Sequence, residues 1–442
     1  MTRTSSTPEK PLCQPPRKLT DWLNPDGQRK VHSLVDKVYQ PKNLRAAWDK
    51  VKANRGSGGI DGQSIDAFEQ DCDGHLHRLH EDLRTDRYQP LPVRRVDIPK
   101  AGKPGEWRPL GIPAVIDRVC QQALLNRLEP IFEPLFDDSS FGYRPRRSAK
   151  DALRKMWREI EAGAEWIVDA DLKDYFGSID HEKLLTLVAQ RVADGRVLTL
   201  IERMLTAGAM QNGRLFPTTQ GTPQGGVVSP LLSNILLTPF DREMRRRGYQ
   251  LTRYADDWAV TCRSRQEAEA ALRCAAKILA TLGVQLNVRK TRIVHMRRGV
   301  AFLGYTIKRG QRALSLPAAM ITSKARHGGL YAYPTQKSID RFKDSVRRKT
   351  QRRIPLRTAE LIRELNPVIR GWGEYYKRAH VRRLFNQLDR WIVRRLWSHR
   401  YRRWRCAGWQ TLPVRRLRGE LGLVSLIGRI PSLTPRRVVA PS

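Results

Sequence analysis

The stretch whose reading decides the fold is Leu251-Thr-Arg-Tyr-Ala-Asp-Asp-Trp-Ala-Val260. Apolar-tending residues flank an Ala-Asp-Asp turn, which reads as a hairpin displaying two adjacent acids. Paired aspartates in a turn are common and carry no weight alone. They gain it from a second acidic strand, Trp166-Ile-Val-Asp-Ala-Asp-Leu172. Strand alternation puts Asp169 and Asp171 on one face, and Val168, Ala170 and Leu172 on the other. Carboxylates on two neighbouring strands can hold a pair of Mg2+ ions about 4 Å apart, which activate a 3′-hydroxyl and stabilise a leaving pyrophosphate. Hard oxygen ligands suit Mg2+.

The rest of the chain makes such acids conspicuous. Its 442 residues carry 82 Lys and Arg against 44 Asp and Glu, a net charge of +38. Self-repulsion of that size is relieved by an anionic partner, and nucleic acid is the first candidate. A hydrophobic content of 40% is enough for real cores. Length predicts two to four domains. Six scattered cysteines without a C-x-x-C pair argue against a zinc ribbon and a disulfide framework. They suit reduced thiols in a cytoplasmic setting. The N-terminus has no apolar signal region. No apolar run approaches the ~18 residues of a membrane span, so no membrane partner is expected.

Outward from the acids, strands and helices mix without a regular βαβ alternation, which favours an α+β domain. Val115 to Leu128, Ala149 to Ala162 and Gln266 to Leu282 read as helices, and 284–307 as short strands. Leu76, Leu79 and Leu83 make one helical face. The histidines of Cys72-Asp-Gly-His-Leu-His-Arg-Leu-His80 therefore read as surface residues rather than metal ligands. Residues 341–410 hold 21 Lys and Arg against 5 Asp and Glu, and five of the eleven Trp. There Val381, Leu384, Phe385, Leu388, Trp391, Ile392 and Leu396 form one helical stripe. Arg383, Arg390, Arg394 and Arg395 lie off that stripe and are candidates for RNA phosphate.

Tyr254-Ala-Asp-Asp257 resembles the Y-x-D-D box of reverse transcriptases. The other palm motifs follow in order: Asp169-Ala-Asp-Leu-Lys-Asp-Tyr-Phe176, Gly221-Thr-Pro-Gln-Gly-Gly226, Leu282-Gly-Val-Gln-Leu-Asn-Val-Arg-Lys-Thr291 and Phe302-Leu-Gly-Tyr305. Upstream, Pro92 to Lys100, Arg108 to Pro113 and Phe141-Gly-Tyr-Arg-Pro145 resemble the fingers of the group II intron-encoded branch. Asn54-Arg-Gly-Ser-Gly-Gly-Ile-Asp-Gly62 is similar to that branch's N-terminal extension. Asn366-Pro-Val-Ile-Arg-Gly-Trp-Gly-Glu-Tyr-Tyr376 resembles its maturase, or X, domain.

The resemblance implies a right-hand polymerase with an all-α thumb/maturase domain. Expected divisions are a mobile leader (1–29), an N-terminal extension and fingers with early palm strands (30–165), a palm (166–334), a thumb/maturase domain (335–410) and a short or degenerate DNA-binding tail (411–442). It implies RNA-directed DNA synthesis with Mg2+ on Asp171, Asp256 and Asp257, and Asp169 in support. Lys100 and Arg108 are implied to bind the triphosphate of the dNTP, Phe176 to act as steric gate and Gln224 to line the base-pair site. Lys290 is implied as a possible general acid. The implied partners are the intron RNA, an RNA template with DNA primer, dNTPs and target DNA, in a bacterial cytoplasm. The chain departs from many relatives in having Gly177 rather than Asp after Phe176. The short stretch after Gln410 holds no Cys or His, so no H-N-H endonuclease is expected. A host-adopted reverse transcriptase without an intron, and a splicing factor that has lost polymerisation, are the alternatives.

Overall fold

The acid-bearing strands pair in one sheet. In chain order the strands are β1 (Val93–Pro99), β2 (Trp107–Ile112), β3 (Trp166–Ala170), β4 (Ala209–Gln211), β5 (Arg214–Phe216), β6 (Gln250–Tyr254), β7 (Asp257–Cys262), β8 (Arg292–His295), β9 (Val300–Phe302), β10 (Tyr305–Arg309) and β11 (Leu330–Pro334). The central sheet has the order β6-β7-β3-β8, antiparallel throughout. A second sheet runs β2-β1-β4-β5 and a third β11-β10-β9. The structure is a computed structural model, and it describes residues 22–24, 27–99, 105–310, 329–402 and 409–431.

The chain divides into two compact units, Met1–His295 and Met296–Ser442. The division falls well ahead of residue 335, so β9–β11 belong with the helical unit. In the first unit the helix Ser229–Arg246 is buried almost all round, as a central element must be. Helix Arg265–Thr281 covers the sheet with Ala268, Ala271, Ala275, Ile278 and Leu279, a stripe at helical spacing. The Ser264 hydroxyl caps its N-terminus by accepting from the Glu267 amide. Trp258, wholly buried, packs edge-on against Phe240 at 5.2 Å.

Several expectations shift. Trp22 and Leu23, inside the expected leader, are buried in this core, with the Leu23 amide donating to Gln190 Oε1. Residues 1–21 lie outside the described residues. The span 284–291 is not strand. Gly283, at φ +78°, ends the preceding helix, and a turn at Asn287 closes with the Lys290 amide. Helix Cys72–Arg84 buries Leu76, Leu79 and Leu83. Two of its histidines do more than face water. His75 stacks on Phe68 at 4.5 Å, and His80 Nδ1 lies 2.8 Å from the Tyr39 carbonyl oxygen.

The second unit pairs the β9–β11 sheet with helices Gln336–Lys349, Thr358–Tyr376 and Arg382–Tyr401. The apolar stripe of the last is buried at Phe385, Leu388, Ile392 and Leu396. Leu303 and Gly304 both have positive φ, the type I′ geometry that suits a two-residue hairpin. The Tyr375 hydroxyl donates to the Leu303 carbonyl and the Tyr376 hydroxyl bonds the Gly304 carbonyl. Two motifs seventy residues apart in sequence are thus one clamp. The described part of the expected tail packs on this unit too. Buried Asp389 accepts from the Leu426 and Ile427 amides, the Ser425 hydroxyl and Arg418.

Asp389→Ala should leave those donors without their acceptor. An expected loss of about 2–3 kcal/mol follows from orphaned buried donors. Limited proteolysis should then cut within 411–431 before the helices. An unchanged cleavage pattern and Tm would show that Asp389 does not hold this segment.

Candidate active site

The register of the central sheet brings the acids together. β3 pairs β7 with Ala170 opposite Trp258, so one step further sets Asp171 across from Asp257. On the other side Asp169 pairs Arg292 of β8. Beyond that pair the register shifts, the Asn287 amide donates to the Asp171 carbonyl, and Lys290 comes from the turn between. Lys290 Nζ donates to Asp171 Oδ2. β6 and β7 close at Tyr254 and Asp257, leaving Ala255 and Asp256 as the loop. Ala255 has φ +58°, a left-handed conformation that costs most residues energy.

A buried arginine holds that turn. Arg253 is wholly buried, and all five of its N–H groups are used. Nε and Nη2 donate to Asp241 at 2.7 and 2.6 Å. Nη2 also donates to Ser140 Oγ, and Nη1 to Asn234 Oδ1 and the Ala255 carbonyl. Asn234 in turn donates to the Gly142 carbonyl. Gly142 packs against the turn so closely that a Cβ there would lie 2.3 Å from the Ala255 nitrogen. The motif around Phe141 is therefore a backbone seat for the acidic turn.

The nucleotide-side candidates meet at a second turn. The Gly221 amide donates to the Ile179 carbonyl and the Thr222 amide to the Phe176 carbonyl. On its other side the Gly111 amide donates to the Gln224 carbonyl. Gly225, at φ +121°, sits where a Cβ would be 2.4 Å from the Gly111 oxygen. Turn 221–226 thus joins Phe176 to β2, the strand that carries exposed Arg108. Gln224 Oε1 is buried without a hydrogen-bond partner, an acceptor left over for a ligand. Gly177 lies against Asp174, whose carboxylate comes within 2.4 Å of the Cβ an acid there would need. Lys100 lies outside the described residues.

The electrostatics are those of crowded acids. Burial and the charges of Asp256, Asp171 and Asp169 push Asp257 up to about 7. One edge of Asp257 still faces solvent. Burial, and secondarily Asp171, lift Asp169 to about 6, against Arg292. Asp256 is raised, chiefly by burial, while Lys290 and Arg108 pull it back. Arg108 is therefore close enough to feel this acid. Among the described residues no group of three or more His, Cys, Asp and Glu side chains closes tightly enough to cage a metal ion.

Sequence reasoning passed over Tyr143. Its backbone is left-handed at φ +57°, its side chain is 49% exposed, and burial with the Asp256 charge raises its pKa. Its motif was visible, but the strain and the neighbour are tertiary. The thumb arginines separate. Arg383, Arg390 and Arg394 are exposed. Arg395 is half-buried and donates to Thr350 Oγ1, the Thr350 carbonyl and the Arg347 carbonyl. It caps the C-terminus of helix Gln336–Lys349.

The chain matches two family models, "Reverse transcriptase (RNA-dependent DNA polymerase)" over residues 98–307 and "Group II intron, maturase-specific domain" over 339–416. It is 32% identical to Protein YkfC of Escherichia coli K12 over 334 residues, 66% of this chain and 87% of that one. It is 26% identical to the group II intron-encoded protein LtrA of Lactococcus lactis subsp. cremoris, over 85% of this chain and 76% of that one. A solved partial Cas6-RT-Cas1–Cas2 complex aligns with a TM-score of 0.37 at 22% identity, over 56% of this chain and 42% of that chain. The chain spans less than half of that solved chain. No described helix is long and apolar enough to cross a membrane. With both domain types in the order that the motifs require, the chain belongs to the group II intron-encoded reverse transcriptase and maturase family and is an RNA-directed DNA polymerase.

Proposed function

We propose that Asp171, Asp256 and Asp257 are the catalytic carboxylates for copying RNA into DNA. We further propose that the basic second unit binds the RNA of a group II intron to assist its splicing. The carrying observation is the register that sets Asp171 against the hairpin acids, with Lys290 on Asp171. The donor set fits Mg2+, which keeps waters and takes substrate phosphates beside one or two carboxylates rather than needing a full protein cage. Mg2+ held there would supply activation of the primer 3′-hydroxyl and charge stabilisation at the departing pyrophosphate.

The chain's own groups do the rest. The primer hydroxyl forms the new bond to the α-phosphorus as the bond to pyrophosphate breaks in line. Lys290 holds a proton on Nζ beside Asp171, and the neighbouring acids raise its pKa. It would give that proton to the pyrophosphate oxygen. Arg108 and Lys100 would neutralise the triphosphate. The Phe176 ring would collide with a 2′-hydroxyl and select dNTPs. Gln224 would offer its free Oε1 to the nascent base pair. On the second unit, Arg383, Arg390 and Arg394 would meet phosphates of the intron RNA, and the same complex would carry the intron to target DNA.

Asp256→Ala should reduce dNTP incorporation to background while the RNA dissociation constant stays within about twofold, since the substituted acid and the proposed RNA-binding arginines belong to different compact units. Equal loss of both would contradict the separation of roles.

The raised acids give a pH signature. Protons bind the folded state more tightly than the unfolded one, so the metal-free protein loses stability as pH rises from about 4 to about 7. Asp257→Asn should therefore raise the metal-free Tm by a few degrees at pH 8, with a smaller gain at pH 5. Mg2+ should narrow the gap at pH 8 by stabilising the wild type. A gain independent of pH would argue against the crowded-acid reading.

Replacing Arg383, Arg390 and Arg394 by Gln should flatten the log–log salt dependence of RNA binding by roughly 0.7 to 0.9 per lost phosphate contact. Arg395→Gln should instead lower Tm, because it removes a helix cap. A change in slope from Arg395→Gln without loss of Tm would reverse that assignment.

A further inference from the structure

The sheet β11-β10-β9 has two unlike faces. Val300, Phe302, Tyr305 and Ile307 are buried on one. The other carries Tyr331 and Tyr333, 38% and 41% exposed, at alternate positions of edge strand β11. Residues directly opposite in an antiparallel pair share a face. The register sets exposed Lys308 opposite Tyr331 and Thr306 opposite Tyr333. The two tyrosine rings are within 14° of parallel with centroids 6.3 Å apart.

A third ring is locked beside them. The His380 amide donates to the Ala332 carbonyl at 2.9 Å, and the Ala332 amide donates to His380 Nδ1 at 3.1 Å. His380 thereby pairs the free edge of β11. Its ring centroid sits 5.0 Å from that of Tyr331 and 5.8 Å from that of Tyr333. Exposed Arg378 and Arg382 flank it in sequence. Tyr331 also covers Gly310 and Gly329, which explains part of its position. Among the described residues no glycine lies under Tyr333 in the same way.

We propose that this open sheet face is a stacking platform for unpaired nucleobases. Flat exposed rings on a sheet, with cations at the margin for the backbone, are the physical means by which single strands are held without reading their sequence. The catalytic acids lie in the other compact unit. The platform rests on the RNA-binding half of the proposed function and extends it.

The test uses the full chain and fluorescently labelled oligo(rU), oligo(dT) and a blunt RNA duplex. Tyr331→Ala/Tyr333→Ala should weaken binding of a single strand by roughly tenfold or more, with duplex binding within about twofold. Tyr331→Phe/Tyr333→Phe keeps both rings and should bind as wild type. A loss confined to oligo(rU) or to oligo(dT) assigns the strand to RNA or to DNA, and either supports the platform. Stacking should also quench 2-aminopurine placed in the strand, in the wild type and the Phe variant only. Wild-type single-strand affinity in a folded Ala variant would overturn the inference. So would parallel loss on single strand and duplex, which marks a folding or charge defect. Wild-type protein that binds none of the three would overturn the RNA-binding reading as well.

Discussion

The turn that carries Asp256 and Asp257 depends on one buried cation. Arg253 and Asp241 are both wholly inside the protein. Removing a charge pair from water costs several kcal/mol per ion, and that cost is tolerable only when every donor is met. Here each N–H of Arg253 has an acceptor, and the acceptors are four residues from three places in the chain. Asp241 and Asn234 lie on the central helix, Ser140 precedes the Phe141 motif, and Ala255 is in the acidic turn itself. A single guanidinium therefore fixes the helix, the loop and the hairpin to one another. Lysine has neither the number of donors nor their planar spread.

Backbone proximity does the remaining positioning. Gly142 lets one loop lie against the Ala255 turn, and Gly225 lets the second turn lie against β2. Both contacts are too close for a side chain. The turn 221–226 is thus tied by main-chain hydrogen bonds to Phe176, Ile179 and Gly111. The same logic recurs in the second unit, where Tyr375 and Tyr376 grip the Leu303-Gly304 turn.

Much of this was legible in the sequence. The alternation in β3 placed Asp169 and Asp171 on one face, and the Ala-Asp-Asp turn placed two acids at a hairpin, although the loop is Ala255-Asp256 and Asp257 opens β7. The stripe from Phe385 to Leu396 foretold which side of its helix is buried. What stayed hidden depends on partners distant in sequence. Arg253 reads as one more cation in a chain of +38 until Asp241 and Asn234 come against it. Arg395 shares its helical spacing with Arg394, yet a cap on another helix claims it. Trp22 and Leu23 sit in a polar segment, yet they join the apolar core, where Gln190 Oε1 accepts from the Leu23 amide and Arg242 donates to the Trp22 carbonyl. The tyrosines of β11 show no periodicity longer than one strand, so only the pairing with β10 reveals which face they share.

The most direct measurement is steady-state dTTP incorporation on oligo(dT)-primed poly(rA) by Arg253→Lys protein, beside its Tm. Lysine preserves the charge opposite Asp241, so the variant should fold with a modestly lower Tm. It does not reach Ser140, Asn234 and the Ala255 carbonyl together, so the acidic turn should lose its seat. The account predicts a fall in kcat of roughly a hundredfold, as for a small misplacement of catalytic groups, with little change in KM for dTTP. A folded variant with wild-type kcat would contradict the claim that Arg253 sets the catalytic geometry.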